Sequence, residues 1–371
     1  MASRFFPRLA IGAFAIARRI AGGERRAPAN PGRILIAHHL LLGDTLMLTA
    51  TLAKLRQQYP GADIAMALPR AFAPLYEKRP YGVRVLPWDP RDPASVIRLL
   101  RERRFDLALI PGDNRHSWLA QAMGARWIVA FAGDSPGYKS WPVDALRPYP
   151  GTAGTWSDIT ATLVDGDAPA PYAAEDWPAP AAAPFARPAG PYAVLHVGAS
   201  SALKLWPPDR WRDIARSLRA SGQRIAWSGG KGEEALVAAC APEPDDVVTA
   251  GRLDLPQLWH LVAGARVLIC PDTGVAHLGR IVGTPTIALF GPGSTLLAGA
   301  GNFWRNSPYR ALSIAPFPCR DQHFLFKRQV AWVSICKRST AECAAPRCMQ
   351  ALDVAAVIDA FAAFDHASTH V

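Results

Sequence analysis

The sequence predicts an α/β fold made of two doubly wound parallel sheets. Short, continuous apolar runs alternate with segments of helical spacing, which is typical of buried parallel strands joined by crossover helices. This pattern occupies residues 33–131, stops, and starts again at Tyr192. Between the two series, residues 165–191 hold seven Pro and ten Ala and show no helical or strand period. Such a composition is typical of a semi-rigid connector, so we expect two domains joined by a linker.

Length and composition agree with this organisation. The 371 residues correspond to roughly two domains of ordinary size. Half of the residues are apolar and 19% are charged, which excludes wholesale disorder. Six cysteines in this length exclude a fold built on disulfides, and no apolar run approaches the roughly 20 residues of a membrane-spanning helix. The net charge of +11 is compatible with an anionic partner such as a phosphate or a membrane surface.

Residues 1–30 form a separate basic segment with a net charge of +5. Its central apolar stretch, residues 9–17, is too short to span a membrane. We predict an amphipathic basic helix lying on a membrane surface; a disordered basic tail and an export signal are the alternatives. The charged residues are Arg4, Arg8, Arg18, Arg19, Glu24, Arg25 and Arg26.

In the first series, each element follows from its local pattern. An apolar run predicts a strand at 33–38, and residues 40–44 form the turn after it. Leucines at helical spacing predict a helix at 45–58, which Pro60 and Gly61 end. The remaining predicted elements are strands at 62–68, 82–86, 105–110 and 126–131 and a basic helix at 93–103.

The second series repeats this arrangement. An apolar strand at 192–197 runs into the small-residue turn 198–201. Because ligands of open α/β sheets bind at the carboxyl ends of the strands, we expect the ligand at these turns. The other predicted elements are helices at 208–220, 255–263, 275–282 and 352–364 and strands at 224–228, 267–270 and 286–290.

One segment of the second series predicts a phosphate site. A strand ending at Cys270 runs directly into Asp272, Thr273 and Gly274, where a helix starts. Free amides at a helix start, with a hydroxyl beside them, bind phosphate readily. Asp272 would repel a phosphate, so we expect it to cap the helix or to accept hydrogen bonds from ligand hydroxyls. An ordinary capped helix is the alternative.

Four blocks of the sequence resemble the heptosyltransferases of glycosyltransferase family 9. Their order and spacing agree with that family from about residue 33 to residue 364. The blocks are Leu42-Gly43-Asp44, Lys204-Leu205-Trp206-Pro207 followed by Trp211, Asp272-Thr273-Gly274 followed by His277, and Gly283-Thr284-Pro285 followed by Phe290-Gly291-Pro292.

The resemblance implies a GT-B fold, in which two Rossmann-like domains face a central cleft. It also implies an inverting glycosyltransferase that needs no metal or other cofactor and uses a nucleotide-activated sugar, typically ADP-heptose. The implied acceptor is the lipopolysaccharide core or a similar glycolipid. The enzyme would then work in the cytoplasm, peripherally on the inner membrane.

Asp44 is the candidate catalytic base. An inverting displacement needs a group that takes the proton of the acceptor hydroxyl while the nucleotide leaves from the opposite face. Asp44 lies where the first strand gives way to a helix, and the family resemblance assigns it this role. The alternative is that its side chain only caps that helix.

Other residues are candidates for the donor site. Lys204 could neutralise charge on the departing diphosphate, and Ser200 and Ser201 could donate to the same phosphates. Glu233, or its neighbour Glu234, could accept from ribose hydroxyls. His277 could contact a phosphate or the ribose. Each candidate has an alternative. Lys204 could be a solvated loop lysine, and the two serines plain turn residues. The two glutamates could belong to a solvated helix start, and His277 could be a packing histidine.

Several features depart from the family pattern. His38 and His39 precede the Leu42-Gly43-Asp44 block, where relatives carry small polar residues, so they bind an anionic acceptor or serve a structural purpose. Residues 324–328 are apolar and basic; we interpret them as a surface loop, with contact to lipid as the alternative. Cys319, Cys336, Cys343 and Cys348 lack the tight pairs of zinc sites, so we expect reduced thiols and no metal.

The sequence therefore predicts an enzyme that transfers a sugar to a glycolipid. A sugar-nucleotide hydrolase or epimerase on the same fold is one alternative, and a non-catalytic binder of nucleotide sugars is another. A nucleic-acid partner is excluded because no basic-aromatic repeat or zinc finger is present. The expected organisation is a basic segment at 1–30, an acceptor-side domain at 31–165, a linker at 166–191, a nucleotide-sugar domain at 192–350 and a terminal helix at 351–371.

Overall fold

The computed structural model describes residues 5–102 and 104–368. Within these residues the chain separates into two compact units. The first unit contains the described residues up to Ala170 together with Phe324–Trp332. The second contains Pro171–His323 and the described residues from Val333 onwards. Arg4, part of the predicted basic segment, lies outside the described residues.

The first unit is a parallel sheet with helices packed on it. Its helices are α1 (Phe5–Ala21), α2 (Leu42–Met47), α3 (Thr49–Gln58), α4 (Pro93–Arg101), α5 (His116–Ala122) and α6 (Trp156–Ala161). Its six strands are β1 (Arg33–Ala37), β2 (Asp63–Pro69), β3 (Arg84–Trp88), β4 (Leu107–Ile110), β5 (Trp127–Phe131) and β6 (Ala145–Arg147). They lie in the order β3-β2-β1-β4-β5-β6.

The second unit repeats this architecture. Its strands are β7 (Tyr192–His196), β8 (Arg224–Ser228), β9 (Val247–Val248), β10 (Val267–Pro271), β11 (Thr286–Phe290) and β12 (Tyr309–Ser313). Its helices are α7 (Pro208–Ala220), α8 (Glu234–Ala239), α9 (Leu255–Ala263), α10 (Gly274–Ile281), α11 (Arg347–Gln350) and α12 (Val354–Ser368). The sheet order is β12-β11-β10-β7-β8-β9.

Both sheets are parallel and have the Rossmann strand order, so the predicted doubly wound α/β fold is confirmed. In each sheet the chain starts in the middle and the strand order reverses beside the first strand. This topological switch point lies between β1 and β4 in the first unit and between β7 and β10 in the second. Ligands of such sheets bind at the carboxyl ends of the strands at that point.

Buried apolar strands form the cores, as the continuous runs predict. The side chains of Ile34, Leu35 and Ile36 in β1 are fully buried, and so are those of Leu268 and Ile269 in β10. Strands covered on both faces need apolar residues at every position rather than at alternate ones. This explains why the central strands were easier to predict than the edge strands β6, β9 and β12. Those edge strands are short or only half-buried.

Helix α1 is an integral part of the first unit. Its inner face packs on α5, with Ala15 fully buried and Ile11 against the core. Arg19 donates to Asp144 at 2.9 Å, and Arg25 pairs with the same carboxylate at 2.6 Å. The alternative of a disordered tail is therefore wrong for residues 5–21. No helix within residues 5–102 and 104–368 has both the length and the apolar character to cross a membrane.

The Pro/Ala-rich stretch packs on the second unit over much of its length. The Tyr172 hydroxyl donates to the Ile281 carbonyl at 2.7 Å, and the ring of Trp177 is buried near Trp259. His260 binds the Pro180 carbonyl through Nε2 at 2.8 Å. Tyr172 and Trp177 thus attach this stretch to the sheet domain that follows.

Two local predictions are wrong. Residues 42–44, expected in a turn, already form the first turn of α2, and a break at Leu48 separates α2 from α3. Residues 324–328, interpreted as a surface loop, form a hairpin of β13 (Phe324–Leu325) and β14 (Arg328–Gln329) that belongs to the first unit. Its Arg328 side chain is 1% exposed, which a surface loop would not permit.

Candidate functional site

In the second unit, an ion pair spans the switch point of the sheet. Lys204 ends a 3₁₀ turn (Ala202–Lys204) in the loop after β7, and Asp272 directly follows β10. The Lys204 Nζ atom donates to Asp272 Oδ2 at 2.7 Å and to the Asp272 carbonyl oxygen at 2.9 Å. The two side chains are 23% and 16% exposed, so the pair is half-shielded from water. The alternative of a freely solvated Lys204 is therefore wrong.

A buried tryptophan fixes the loop that carries Lys204. Trp206, two residues later, is 3% exposed and contacts the ring of Trp211 edge-on at 5.1 Å. Its Nε1 atom donates to the Leu352 carbonyl at 3.1 Å. The Lys-x-Trp-Pro block thus combines a core anchor with a cation, because Trp206 holds the backbone in place and Lys204 faces the end of β10.

Thr273, and not Asp272, caps helix α10. The Thr273 hydroxyl accepts from the Val275 amide at 2.9 Å, and Gly274 is the first helical residue. The expectation that Asp272 caps this helix is wrong, because its carboxylate pairs with Lys204. A Cβ atom at Gly293, in the turn after β11, would stand 2.4 Å from Asp272 Oδ2. The carboxylate therefore occupies space that only a glycine at 293 leaves open.

The remaining donor-site candidates take different positions. Ser200 is exposed, whereas the Ser201 hydroxyl accepts from the Leu203 amide at 3.3 Å and so stabilises the turn before Lys204. Glu233 precedes α8, and its Oε2 atom accepts from the Gly230 amide at 2.5 Å. The same carboxylate covers Gly198 at the end of β7, where a Cβ atom would overlap it.

His277 lies on α10 with its ring buried. Burial, helped by the positive charges of Arg280 and Lys204, holds the pKa of His277 well below its ordinary value, so the ring is neutral at pH 7. Among the described residues its Nδ1 atom has no hydrogen-bond partner. Arg280, which sequence analysis did not single out, lies one turn later and donates to the Gly299 carbonyl at 3.0 Å.

In the first unit, Asp44 follows the central strand. It occupies the first turn of α2 and is half-buried. The N-cap position belongs to Leu41, whose side chain makes no cap hydrogen bond. Asp44 is thus the third residue of the helix rather than its N-cap. A carboxylate in a first helical turn lies at the positive end of the helix dipole.

Three histidines surround Trp88 near the end of β1. The ring of His39 is 5.2 Å and that of His116 6.2 Å from the Trp88 ring, both edge-on. His38 is buried, and its Nδ1 atom accepts from the Leu40 amide at 3.2 Å. Burial, together with His116 and His39, keeps the pKa of His38 well below its ordinary value. A neutral, buried ring favours the structural interpretation of His38 over anion binding.

A buried charged network follows β4 and β5, and the sequence analysis missed it. Lys139 Nζ lies 2.9 Å from Asp134 Oδ1 and 3.2 Å from Asp113 Oδ1. Burial alone would raise the pKa of Asp113, but hydrogen bonds from Arg115 and Lys139 lower it to about 2. The sequence did contain a signal for this network. Asp113 and Asp134 each lie within three residues of the end of a strand.

The cysteines are free thiols in the described chain. Cys240, Cys270 and Cys348 are buried, and Cys319, Cys336 and Cys343 are half-buried. Burial raises the pKa of Cys270 above its ordinary value, so this thiol is protonated at pH 7. Within residues 5–102 and 104–368, no three His, Cys, Asp or Glu side chains are placed together as the ligands of a metal ion would be.

Known proteins share both the sequence pattern and the fold. Residues 94–310 match Glycosyltransferase family 9 (heptosyltransferase). Lipopolysaccharide heptosyltransferase 1 of Pseudomonas aeruginosa is 26% identical over 288 residues, which cover 72% of this chain and 81% of the relative. The E. coli heptosyltransferase WaaC with ADP-2-deoxy-2-fluoro heptose has a TM-score of 0.60 and 19% identity, covering 76% of this chain and 92% of WaaC. The iron-containing dodecameric glycosyltransferase TibC of enterotoxigenic E. coli has a TM-score of 0.58 and 13% identity, covering 94% of this chain and 82% of TibC.

Two parallel Rossmann sheets with these structural neighbours define the fold class as GT-B, as the sequence predicts. The family match covers more than half of the chain. The chain therefore belongs to glycosyltransferase family 9, the heptosyltransferase family, and its class of enzyme is the glycosyltransferases.

Proposed function

We propose that this protein transfers a heptose, or a related sugar, from an ADP-activated donor to the lipopolysaccharide core or a similar glycolipid, with inversion at the sugar carbon. The observation that supports this proposal most directly is the Lys204–Asp272 pair at the switch point of the second sheet. Membership of the heptosyltransferase family supports the reaction class. WaaC, solved with ADP-2-deoxy-2-fluoro heptose, and the lipopolysaccharide heptosyltransferase of Pseudomonas aeruginosa support the donor and the acceptor class.

The donor half of the proposal assigns the diphosphate to the start of α10. Thr273 and Gly274 present a hydroxyl and helix-start amides, which bind phosphate oxygens. Lys204 then neutralises the charge that develops on the departing diphosphate, and Asp272 holds the ammonium group in place. Glu233 accepts from the ribose hydroxyls, with Ser200, Ser201 and His277 as further donor contacts. A fixed cation in this role makes a metal ion unnecessary.

The acceptor half assigns proton removal to Asp44. The acceptor oxygen forms a bond to the anomeric carbon, the bond from that carbon to the phosphate oxygen breaks, and the acceptor proton passes to the Asp44 carboxylate. The base and the leaving group act on opposite faces of the sugar, which inverts the configuration. Because ADP departs with the electron pair of the broken bond, no oxidant or reductant is needed.

We further propose that the first unit binds the cytoplasmic face of the inner membrane through α1. Leu9, Ile16 and Ile20 are 55%, 44% and 79% exposed, and their spacing places them on one helix face, opposite the face that packs on α5. A groove of about 760 Å³ at the end of α1 adds an excess of positive charge. Its charged lining residues are Arg18, Glu24, Arg25, Arg26, Arg104, Asp106 and Arg126. An apolar stripe beside arginines is typical of helices that bind anionic lipid surfaces.

The test of the reaction is ADP release from ADP-heptose in the presence of a truncated-core glycolipid. We expect release that depends on the acceptor and persists with a metal chelator. Asp44→Asn should lower kcat by at least about 100-fold with unchanged ADP-heptose binding, since removing a general base has that order of effect. Asp167→Asn, an exposed carboxylate of the same unit, is the control and should leave kcat unchanged.

Other outcomes of this experiment would contradict the proposal. Normal turnover by Asp44→Asn would remove Asp44 from the base role. Product formation without any acceptor would indicate a sugar-nucleotide hydrolase or epimerase. Donor binding by calorimetry without turnover on any acceptor would indicate a binding protein. Loss of activity with a chelator and recovery with a metal ion would contradict metal independence.

A further inference from the structure

The hairpin of β13 and β14 has an unusual turn. Two residues, Phe326 and Lys327, connect its strands, and both have positive φ angles of 44° and 65°. Two consecutive residues with positive φ make the type I′ turn, which strongly prefers Asn-Gly because other residues enter this region with strain. Phe and Lys are poor choices for the turn itself. Their side chains therefore call for another explanation, since strained backbone concentrates at functional sites.

Arg328, directly after the turn, holds the hairpin in the first unit. Its guanidinium group donates to the carbonyl oxygens of Ala132 and Gly112, each at 2.9 Å, and to Asn114 Oδ1 at 2.7 Å. Asp134 adds a charge contact at 3.7 Å. These groups follow β4 and β5 at the carboxyl edge of the sheet. None of these Arg328 contacts involves the side chain of Phe326 or Lys327.

The turn lies at the switch point of the first sheet. A Cβ atom at Gly112, after β4, would stand 3.0 Å from Leu40 Cδ2 and 3.6 Å from Phe326 Cε1. Leu40 follows β1, so Phe326 lies where the loops after β1 and β4 meet. Its ring also packs on Trp156 of α6 at 4.7 Å between ring centres. Helix α6 in turn contacts α2, the helix that carries Asp44.

Lys327 adds a cation at this position. Its side chain is exposed, and in the described part of the chain it makes no ion pair. We infer that the Phe326-Lys327 turn forms part of the acceptor site and determines its specificity, with Phe326 as an apolar wall and Lys327 as the contact for an anionic group on the glycolipid acceptor. This inference rests on the proposed function, because it deepens the acceptor side of that reaction.

The test separates the turn as a structural element from the turn as a ligand contact. The double variant Phe326→Asn/Lys327→Gly supplies the sequence that a type I′ turn prefers and removes both side chains. We expect its thermal midpoint to equal or exceed that of the unchanged protein, while KM for the truncated-core glycolipid rises at least about tenfold. The KM for ADP-heptose should not change.

Single variants assign the effect to the charge. Lys327→Ala should raise the KM for the glycolipid about fivefold to tenfold with kcat unchanged, and Lys327→Glu should raise it further, because loss and reversal of one charge-assisted contact have that order of effect. Lys78→Glu, an exposed lysine of the same unit, is the matched control and should behave like the unchanged protein. A direct titration of the glycolipid in detergent micelles measures the same contact without turnover.

Three results would overturn the inference. The first is an Asn-Gly variant with unchanged acceptor KM, since the turn would then be structural only. The second is unchanged micelle titration for Lys327→Glu. The third is an equal loss of binding to anionic phospholipid vesicles that contain no acceptor, which would make Lys327 a contact for bulk lipid. Failure of the proposed reaction is recognised separately, as absence of turnover in the unchanged protein. In that case the titration of the glycolipid in micelles decides whether the turn binds the acceptor.

Discussion

Lys204 and Asp272 join the two loops at the switch point of the second sheet through two short contacts, 2.7 Å to the carboxylate and 2.9 Å to the backbone carbonyl. Two acceptors from one residue fix both the position and the direction of the ammonium group. A cation that is fixed before the donor binds needs little reorganisation when charge develops on the leaving group. The pair therefore serves stability and, in the proposed reaction, catalysis.

Breaking this pair should reveal both effects separately. Lys204→Ala leaves the half-shielded Asp272 carboxylate without its partner, so we expect a loss of about 1–3 kcal/mol in the free energy of unfolding. Lys204→Ala/Asp272→Asn should recover most of that stability but none of the sugar transfer. Urea unfolding and ADP release measure the two quantities. Lys231→Ala, an exposed lysine of the same unit, is the control, and equal stability of Lys204→Ala and the double variant would argue against the pair.

A second prediction concerns pH. His196 at the end of β7 is buried with Nδ1 3.0 Å from Ser228 Oγ, and burial lowers its pKa to about 4. The unfolded chain, with an ordinary histidine pKa of about 6.5, binds more protons between pH 6.5 and pH 4, so stability falls as the pH falls through that range. At pH 5 the His196 contribution to this loss is about 2 kcal/mol.

His196→Gln keeps a hydrogen-bonding side chain and removes the titration. We expect the difference in unfolding free energy between pH 7 and pH 5 to be about 2 kcal/mol smaller in this variant than in the unchanged protein. Urea unfolding at the two pH values provides the comparison. The same pH dependence in both proteins would show that His196 is not protonated on unfolding in this range.

A third prediction concerns the buried anchor of the hairpin. Arg328→Ala leaves Asn114 Oδ1 and two carbonyl oxygens without their donor and weakens the charge balance at Asp134, so we expect a loss of about 3–5 kcal/mol. Arg338 makes an exposed pair with Asp321 at 2.8 Å, and Arg338→Ala should lose no more than about 1 kcal/mol. Denaturant unfolding compares the two variants, and similar losses would contradict the assigned burial.

A fourth prediction concerns α1. Ile16→Ser/Ile20→Ser removes exposed apolar surface without touching the face that packs on α5, so folding should be unchanged. Binding to vesicles of anionic phospholipid should weaken at least about tenfold, because each buried isoleucine contributes about 1.5–3 kcal/mol. Ile97→Ser on α4, also an exposed isoleucine of the first unit, is the control. Unchanged sedimentation with vesicles would exclude α1 as the membrane contact.

Point variants are preferable to removal of residues 1–30 for this purpose. Ala15 and Ile11 belong to the core, and Asp144 receives both Arg19 and Arg25. Removing the segment would expose core surface and leave a mostly buried carboxylate unpaired, so a change in lipid binding would be confounded with loss of folding.

The sequence predicted the sheets well because buried parallel strands have continuous apolar sequences. The runs predicted at 33–38 and 192–197 contain β1 and β7, and the segments that follow them carry Asp44 and Lys204. Edge strands such as β9 and β12 bury less surface, so their sequences are less apolar and gave no comparable signal. Tertiary position, rather than local propensity, decides where such segments form strands.

The candidate site was only partly predictable for a similar reason. Spacing along the chain indicated Lys204 and Asp272 separately, but their contact joins residues 68 positions apart and depends on β7 lying beside β10. Arg328 binds Asn114 across 214 positions. Its neighbours Phe324–Lys327 are apolar and basic with no strand period, so the hairpin could not be recognised without the sheet on which it packs.

The hairpin also constrains the order in which the protein can mature. The first unit incorporates Phe324–Trp332, which the ribosome adds more than 150 residues after Ala170. Domains usually fold one after the other as they emerge during synthesis. Here Asn114 Oδ1 and the carbonyl oxygens of Gly112 and Ala132 receive their Arg328 donor only after nearly the whole chain has been translated. Premature termination anywhere before Arg328 thus leaves the amino-terminal unit without the guanidinium group that joins the ends of β4 and β5.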